Sequence, residues 1–162
     1  RLSVATIDAA GPFSSFDGYQ RTLVLVRGAG VELNFTGHGV ARLSAPGQQV
    51  SFDGSWSTHC ALLGGPSSDL NLIVAHRRVE SEARSMPLEG VERIATADWS
   101  ETLVCCVSGS LTVTNIAGAG VQLGVVDTAR CSAADGELVC RNSGGRPAWI
   151  FVARLRGREP RT

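Results

Sequence analysis

Thr22-Leu23-Val24-Leu25-Val26-Arg27-Gly28 and Thr102-Leu103-Val104-Cys105-Cys106-Val107-Ser108-Gly109 are the two stretches on which the fold turns. Each is an apolar run rich in β-branched residues that stops at a glycine, the composition of a buried strand entering a turn. Thr22-Leu23-Val24 with Val26-Arg27-Gly28 is echoed by Thr102-Leu103-Val104 with Val107-Ser108-Gly109. A second echo places Leu70-Asn71-Leu72-Ile73-Val74-Ala75-His76 against Ala148-Trp149-Ile150-Phe151-Val152-Ala153-Arg154, and the offset is about 80 residues both times. A pattern that occurs twice predicts two similar antiparallel halves, residues 1–90 and 91–162, joined in one compact unit.

Outward from these runs the chain reads as short strands at regular spacing. Leu2–Ile7, Val31–Phe35, Val40–Leu43, Gln49–Phe52 and His59–Leu63 fill the first half. Leu111–Thr114, Val121–Val126, Leu138–Cys140 and Trp149–Leu155 fill the second. Turn chemistry separates them, as at Gly28-Ala29-Gly30, Ala45-Pro46-Gly47, Asp53-Gly54 and Asp135-Gly136. No amphipathic helix longer than two turns is legible, so the fold class is all-β, a sandwich or open barrel. The charged stretch Arg77 to Ala97, which contains Pro87, reads as a connector that opens the second half as an edge strand.

Composition narrows the function. With 162 residues and 43% hydrophobic content the chain can build one good core or two small fused ones. Fifteen basic residues balance fifteen acidic ones, which removes the electrostatic case for nucleic acid or an anionic membrane as partner. No apolar run approaches the roughly 18 residues of a membrane span. All the basic residues are arginine, most simply a mark of GC-rich codon usage. The five cysteines, Cys60, Cys105, Cys106, Cys131 and Cys140, are odd in number and show no CxxC spacing. They read as reduced, buried thiols in a cytoplasmic protein.

Several segments, in order, resemble the HutD/Ves family. Pro12-Phe13-Ser14-Ser15-Phe16-Asp17-Gly18-Tyr19-Gln20-Arg21 looks like its "FSxFxGxxR" segment, and Arg1-Leu2-Ser3-Val4-Ala5 like its "RxSxA" strand. Phe52-Asp53-Gly54 resembles its "FxG" turn, followed by His59-Cys60-Ala61-Leu62-Leu63 and the "GxxxDxN" signature at Gly65 to Asn71. The resemblance implies a double-cupin fold. It also implies a regulatory link to histidine utilisation through binding of a carboxylate intermediate such as N-formylglutamate. Family chains carry an upstream "PWKNGGG"-like segment, and this chain, which opens at Arg1 without an initiator methionine, has no counterpart to it.

Metal-dependent cupins hold their ion with an HxH pair. The histidines here are His38, His59 and His76, with no such pair, so neither a metal nor another cofactor is expected. No GxSxG elbow occurs, and strand alternation sends His59 and Cys60 to opposite faces, so no catalytic residue is expected either. A binding face is better supported. Asp69, Asn71, Ile73 and Ala75 share one side of a strand, two polar groups followed by two apolar ones. Arg21 shares a face with Leu23 and Leu25 and could fork onto a ligand carboxylate, the alternative being an ion pair with Asp69 that closes the barrel end. Phe13, Ser14 and Phe16 lie on a loop, and with Phe52 and His59 they complete the candidate ligand-binding set. The expected partner is a small carboxylate. A cupin-type enzyme acting on a small polar metabolite, either a metal-free isomerase or hydrolase or one using an unrecognised metal, is the competing reading, and uncovered edge strands predict a homodimer.

Overall fold

The computed structural model describes residues 1–158. The chain divides into two compact units between Arg77 and Arg78. The boundary expected after residue 90 lies thirteen residues further on, just beyond a strand that belongs to the second unit.

In the first unit the strands are β1 (Leu2–Ile7), β2 (Gly11–Pro12), β3 (Gln20–Gly28), β4 (Val31–Phe35), β5 (Gly39–Leu43), β6 (Gln49–Asp53), β7 (Thr58–Leu62) and β8 (Ser67–Val74). They form two four-stranded antiparallel sheets, in the orders β1-β8-β3-β6 and β2-β7-β4-β5. Leu23, Leu25 and Phe52 from one sheet pack with Val31, Leu33, Phe35, Leu43 and Cys60 from the other. That alternation of inward apolar residues is the pattern of a sandwich core.

The second unit repeats the plan with β9 (Val79–Leu88), β10 (Val91–Ile94), β11 (Glu101–Ser108), β12 (Leu111–Thr114), β13 (Gly120–Leu123), β14 (Thr128–Cys131), β15 (Leu138–Asn142) and β16 (Ala148–Gly157). Their orders are β14-β11-β16-β9 and β10-β15-β12-β13, with one short 3-10 turn at Ala133–Asp135. Leu111, Val113, Leu138 and Cys140 face Val104, Cys106, Ile150 and Val152 across this core. The all-β, two-sandwich expectation holds.

The two decisive strands match in detail. β3 carries a bulge between Leu25 and Arg27 in its ladder with β8, and β11 carries one between Cys106 and Ser108 in its ladder with β16. Each bulge leads into a glycine in the left-handed region, Gly28 at φ 104° and Gly109 at φ 81°. Counted from the bulges, Leu25 opposite Asp69 corresponds to Cys106 opposite Ile150. Leu70 therefore matches Phe151, not the Ala148 suggested by hydropathy alone.

The edge strand expected within Arg77 to Ala97 is β9, paired with β16 along its length, and Pro87 is tolerated there because an edge strand needs fewer ladder donors. Three elements depart from the sequence reading. β10 and β14 are short strands that the sequence reading left out. The strand expected over Val121–Val126 stops at Leu123, where Gly124 donates to the Asp127 carboxylate and Val126 turns to φ 67°.

Candidate functional site

The site grows out of the pleat of β8. Antiparallel register sets Arg21 opposite Ile73, Leu23 opposite Asn71 and Leu25 opposite Asp69 on one side of β8. On the other side it sets Ser3 opposite Asn71 and Ala5 opposite Asp69. Directly opposed residues share a face, so Asp69 and Asn71 point to the same side as the core residues Leu23 and Leu25. Small side chains on β1 leave room there. A cavity of about 370 Å³ results, walled by β1, the residues just after it, the Pro12–Phe16 segment, Arg21 and β8.

Six of the eight residues proposed from the sequence line this cavity: Phe13, Ser14, Phe16, Arg21, Asp69 and Asn71. Phe52 lies beneath it, 2% exposed, with its ring centroid 5.1 Å from the Arg21 guanidinium carbon. His59 is not part of it. The inward position on β7 belongs to Cys60, 1% exposed, and alternation turns His59 out to solvent.

The loop that carries the aromatic residues is pinned from below. The Phe13 amide donates to the Thr58 carbonyl at 2.9 Å, and the Phe16 amide to the Gly54 carbonyl at 2.7 Å. The Gly54 amide donates in turn to the Tyr19 carbonyl at 2.7 Å. A Cβ on residue 54 would stand 2.5 Å from the Phe16 carbonyl oxygen, so the contact requires glycine. Two motifs far apart in sequence therefore close on one another, and Phe16 is set by Gly54.

Arg21 is 5% exposed and held by aromatic rings. Its guanidinium carbon lies 5.2 Å from the Phe13 and Phe16 centroids as well as 5.1 Å from Phe52. Cation–π attraction of this kind strengthens where water is excluded. Nη1 donates to the Ser14 carbonyl at 3.1 Å, while Nε is buried with no partner. Burial pulls the guanidinium below its usual pKa, opposed by the Asp69 charge, with Arg1 acting in the same direction as burial.

Asp69 is 2% exposed and Asn71 is 7% exposed. One oxygen of each, Asp69 Oδ1 and Asn71 Oδ1, has no hydrogen-bond partner. Burial raises the Asp69 carboxyl to about 6, although the Arg21 charge and a backbone hydrogen bond from Ala5 act against the rise. The two charges feel one another, yet no direct salt bridge joins them. The ion pair weighed from the sequence as a simple barrel closure is not formed. Cys60, below, is pushed up to about 11 by burial and then by Asp69, which favours the protonated thiol at neutral pH. Among the described residues, no group of three or more His, Cys, Asp or Glu is placed to hold a metal ion.

Sequence reading missed the adjoining part of the lining, Ser3, Ala5, Asp8 and Pro12. The signal for it was the alternation of small residues at Ser3 and Ala5 on an edge strand beside Asn71 and Asp69.

Two antiparallel sandwiches of this topology have the double-cupin fold. A cupin barrel protein from Leptotrichia buccalis, 8% identical, shares the fold at a TM-score of 0.56 over 96% of this chain and 83% of that one. The HutD family model matches residues 1–148, and the chain belongs to the HutD family. A protein of Pseudomonas putida encoded in the region 3' of hutC is 35% identical over 136 residues, 83% of this chain and 69% of that protein. HutD of Pseudomonas fluorescens SBW25, crystallised in a formate condition, is 30% identical with a TM-score of 0.69 over 98% of this chain and 79% of its own. A conserved protein of unknown function from Pseudomonas aeruginosa PAO1 is 29% identical with a TM-score of 0.84, over 98% and 82%. Among the described residues, no helix is long and apolar enough to cross a membrane.

Proposed function

We propose that this chain binds a small carboxylate metabolite in the first-unit cavity and serves a regulatory, non-catalytic role in histidine utilisation. The observation that carries the reading is Arg21, nine-tenths buried at the cavity wall with Nε unpartnered. A buried donor left open is rare in folded proteins and is most simply completed by a ligand. Nη1 is occupied by Ser14 and three rings fix the guanidinium plane, so Arg21 is oriented before a carboxylate arrives. Membership of the HutD family and the hutC-linked relative supply the pathway, which makes N-formylglutamate the first compound to test.

Calorimetric titration with N-formylglutamate is expected to show saturable binding, and Arg21→Ala to weaken it by roughly 1.5–3 kcal/mol, the range of a charge-assisted hydrogen bond. Arg21→Lys keeps the charge but loses the planar fork, and is expected to recover only part of the affinity. Unchanged affinity in a folded Arg21→Ala protein would remove Arg21 from the site. Turnover of N-formylglutamate by the wild-type protein would overturn the non-catalytic reading.

A further inference from the structure

No charged residue occurs between Glu101 and Asp127. The surface part of that run is the β12–β13 hairpin tip, β13 and the turn after it, where residues 116–122, Val125 and Val126 are all exposed. Edge strands are ordinarily guarded by charge or proline against pairing with another chain. β5, β6, β9, β10 and β14 each carry a charge, and β2 carries Pro12. Among the described residues, only the edge strands β1 and β13 have neither guard. The inward side of β1 borders the polar cavity already described, whereas that of β13 continues an apolar core. Val121 stands opposite the core residue Val113 and shares its face, yet it is 48% exposed where Val113 is 3%. A groove of about 300 Å³ follows, floored by Val113, Val121, Ala129 and Leu138. The second sandwich is therefore open along β13, with hydrocarbon facing water.

We propose that β13 is a dimerisation edge, and that its occupant is the β13 of a second copy of this chain. Charge selects the occupant. A strand bringing a charged side chain to this neutral edge would bury it without a partner, so the fitting edge is itself uncharged and apolar. The chain supplies one in its own β13. Antiparallel pairing of a strand with its copy generates a two-fold axis and an isologous contact, so the assembly closes at two. The β10-β15-β12-β13 sheets of the two copies then join into one continuous sheet. The turn after β13 is held open beside it, since the Val126 amide donates to the Cys106 carbonyl at 2.7 Å and keeps that valine at φ 67°. The nine exposed residues of this edge fall short of the roughly 20–30 a side of a stable interface. The dimer is therefore a reversible one that dilution dissociates. Nothing in it depends on what the first-unit cavity binds.

Sedimentation velocity and hydrogen–deuterium exchange on the wild-type chain, each over a range of concentrations, test this. The expected result is a reversible monomer–dimer equilibrium. Amide exchange across Gly120–Leu123 should slow as the dimer forms, while exchange across β5 stays unchanged. Val121→Lys puts a guarding charge on the edge and is expected to raise the dimer dissociation constant about tenfold or more, since two like charges meet near the two-fold. Val40→Lys, on the edge strand β5 and 60% exposed, is expected to leave that constant within about twofold. The exchange experiment needs no variant, so it decides the matter even if Val121→Lys fails to fold. A monomer at every concentration up to about 1 mM would overturn the proposal and leave a strand of a different protein as the occupant to seek. A dimer in which Gly120–Leu123 still exchanges at the monomer rate would overturn the assignment to β13.

Discussion

Burial lifts the Asp69 carboxyl to about 6, against an ordinary value of 3.8, so at neutral pH the folded chain carries an anion in a poor environment. Between those two values the folded state keeps a proton that the unfolded chain has released. Stability therefore falls as pH rises across that window and stays low above it. At 1.36 kcal/mol per pH unit, the displacement amounts to roughly 3 kcal/mol. Asp69→Asn removes the ionisation and keeps the shape, and is expected to stabilise the free protein at pH 7 by about 1–3 kcal/mol. It should also flatten the decline between pH 4 and 6. Urea denaturation at several pH values measures both effects, and a variant less stable than wild type at pH 7 would contradict them. Stability traded away at a binding residue is a common signature of a functional site.

At the scale of elements, the loop carrying Phe13, Ser14 and Phe16 is only as well placed as its support on Gly54. Gly54→Ala brings a Cβ to within 2.5 Å of the Phe16 carbonyl and must push the loop away. The expected loss is about 1–3 kcal/mol of stability, the range of overpacked sites, together with weaker ligand binding through displaced aromatic rings. Thermal denaturation and calorimetry on the same sample read the two, and wild-type affinity in Gly54→Ala would show that Gly54 does not set the loop. Asp69, Asn71 and Arg21 were legible in the sequence because strand alternation alone assigns a face. Ser3 and Ala5 were not, because a cavity wall made by absence of bulk leaves only small residues as its trace. β9 was legible only as an edge strand within a charged connector, without its bounds, since Glu80 and Glu82 pair with Arg156 and Arg154 on its neighbour β16 and give the strand the composition of a solvated linker. The register of β16 was misjudged by hydropathy matching because every inward position there is apolar, and only the bulge at Val107 fixes it.

Across the whole molecule the repeat is structural and the chemistry is not repeated. Counted from the bulges, the second unit places Thr102 where the first has Arg21, Ile150 where it has Asp69, and Val152 where it has Asn71. Ile150 and Val152 are core residues, 0% and 3% exposed. One unit keeps charged and amide groups on its inner face, and the other has hydrocarbon at the Asp69 and Asn71 positions and an uncharged threonine at that of Arg21. One ligand per chain is expected, and calorimetric stoichiometry near two would refute the assignment. The cage of Phe13, Phe16 and Phe52 around Arg21 has a separate consequence. Counter-ions in solution screen exposed charges over about 8–10 Å but cannot gather around a guanidinium sealed beneath rings. On the proposed reading, an anion held there is expected to be gripped nearly as firmly in concentrated salt as in dilute buffer, so that occupancy would follow the abundance of the ligand and not the ionic strength around it.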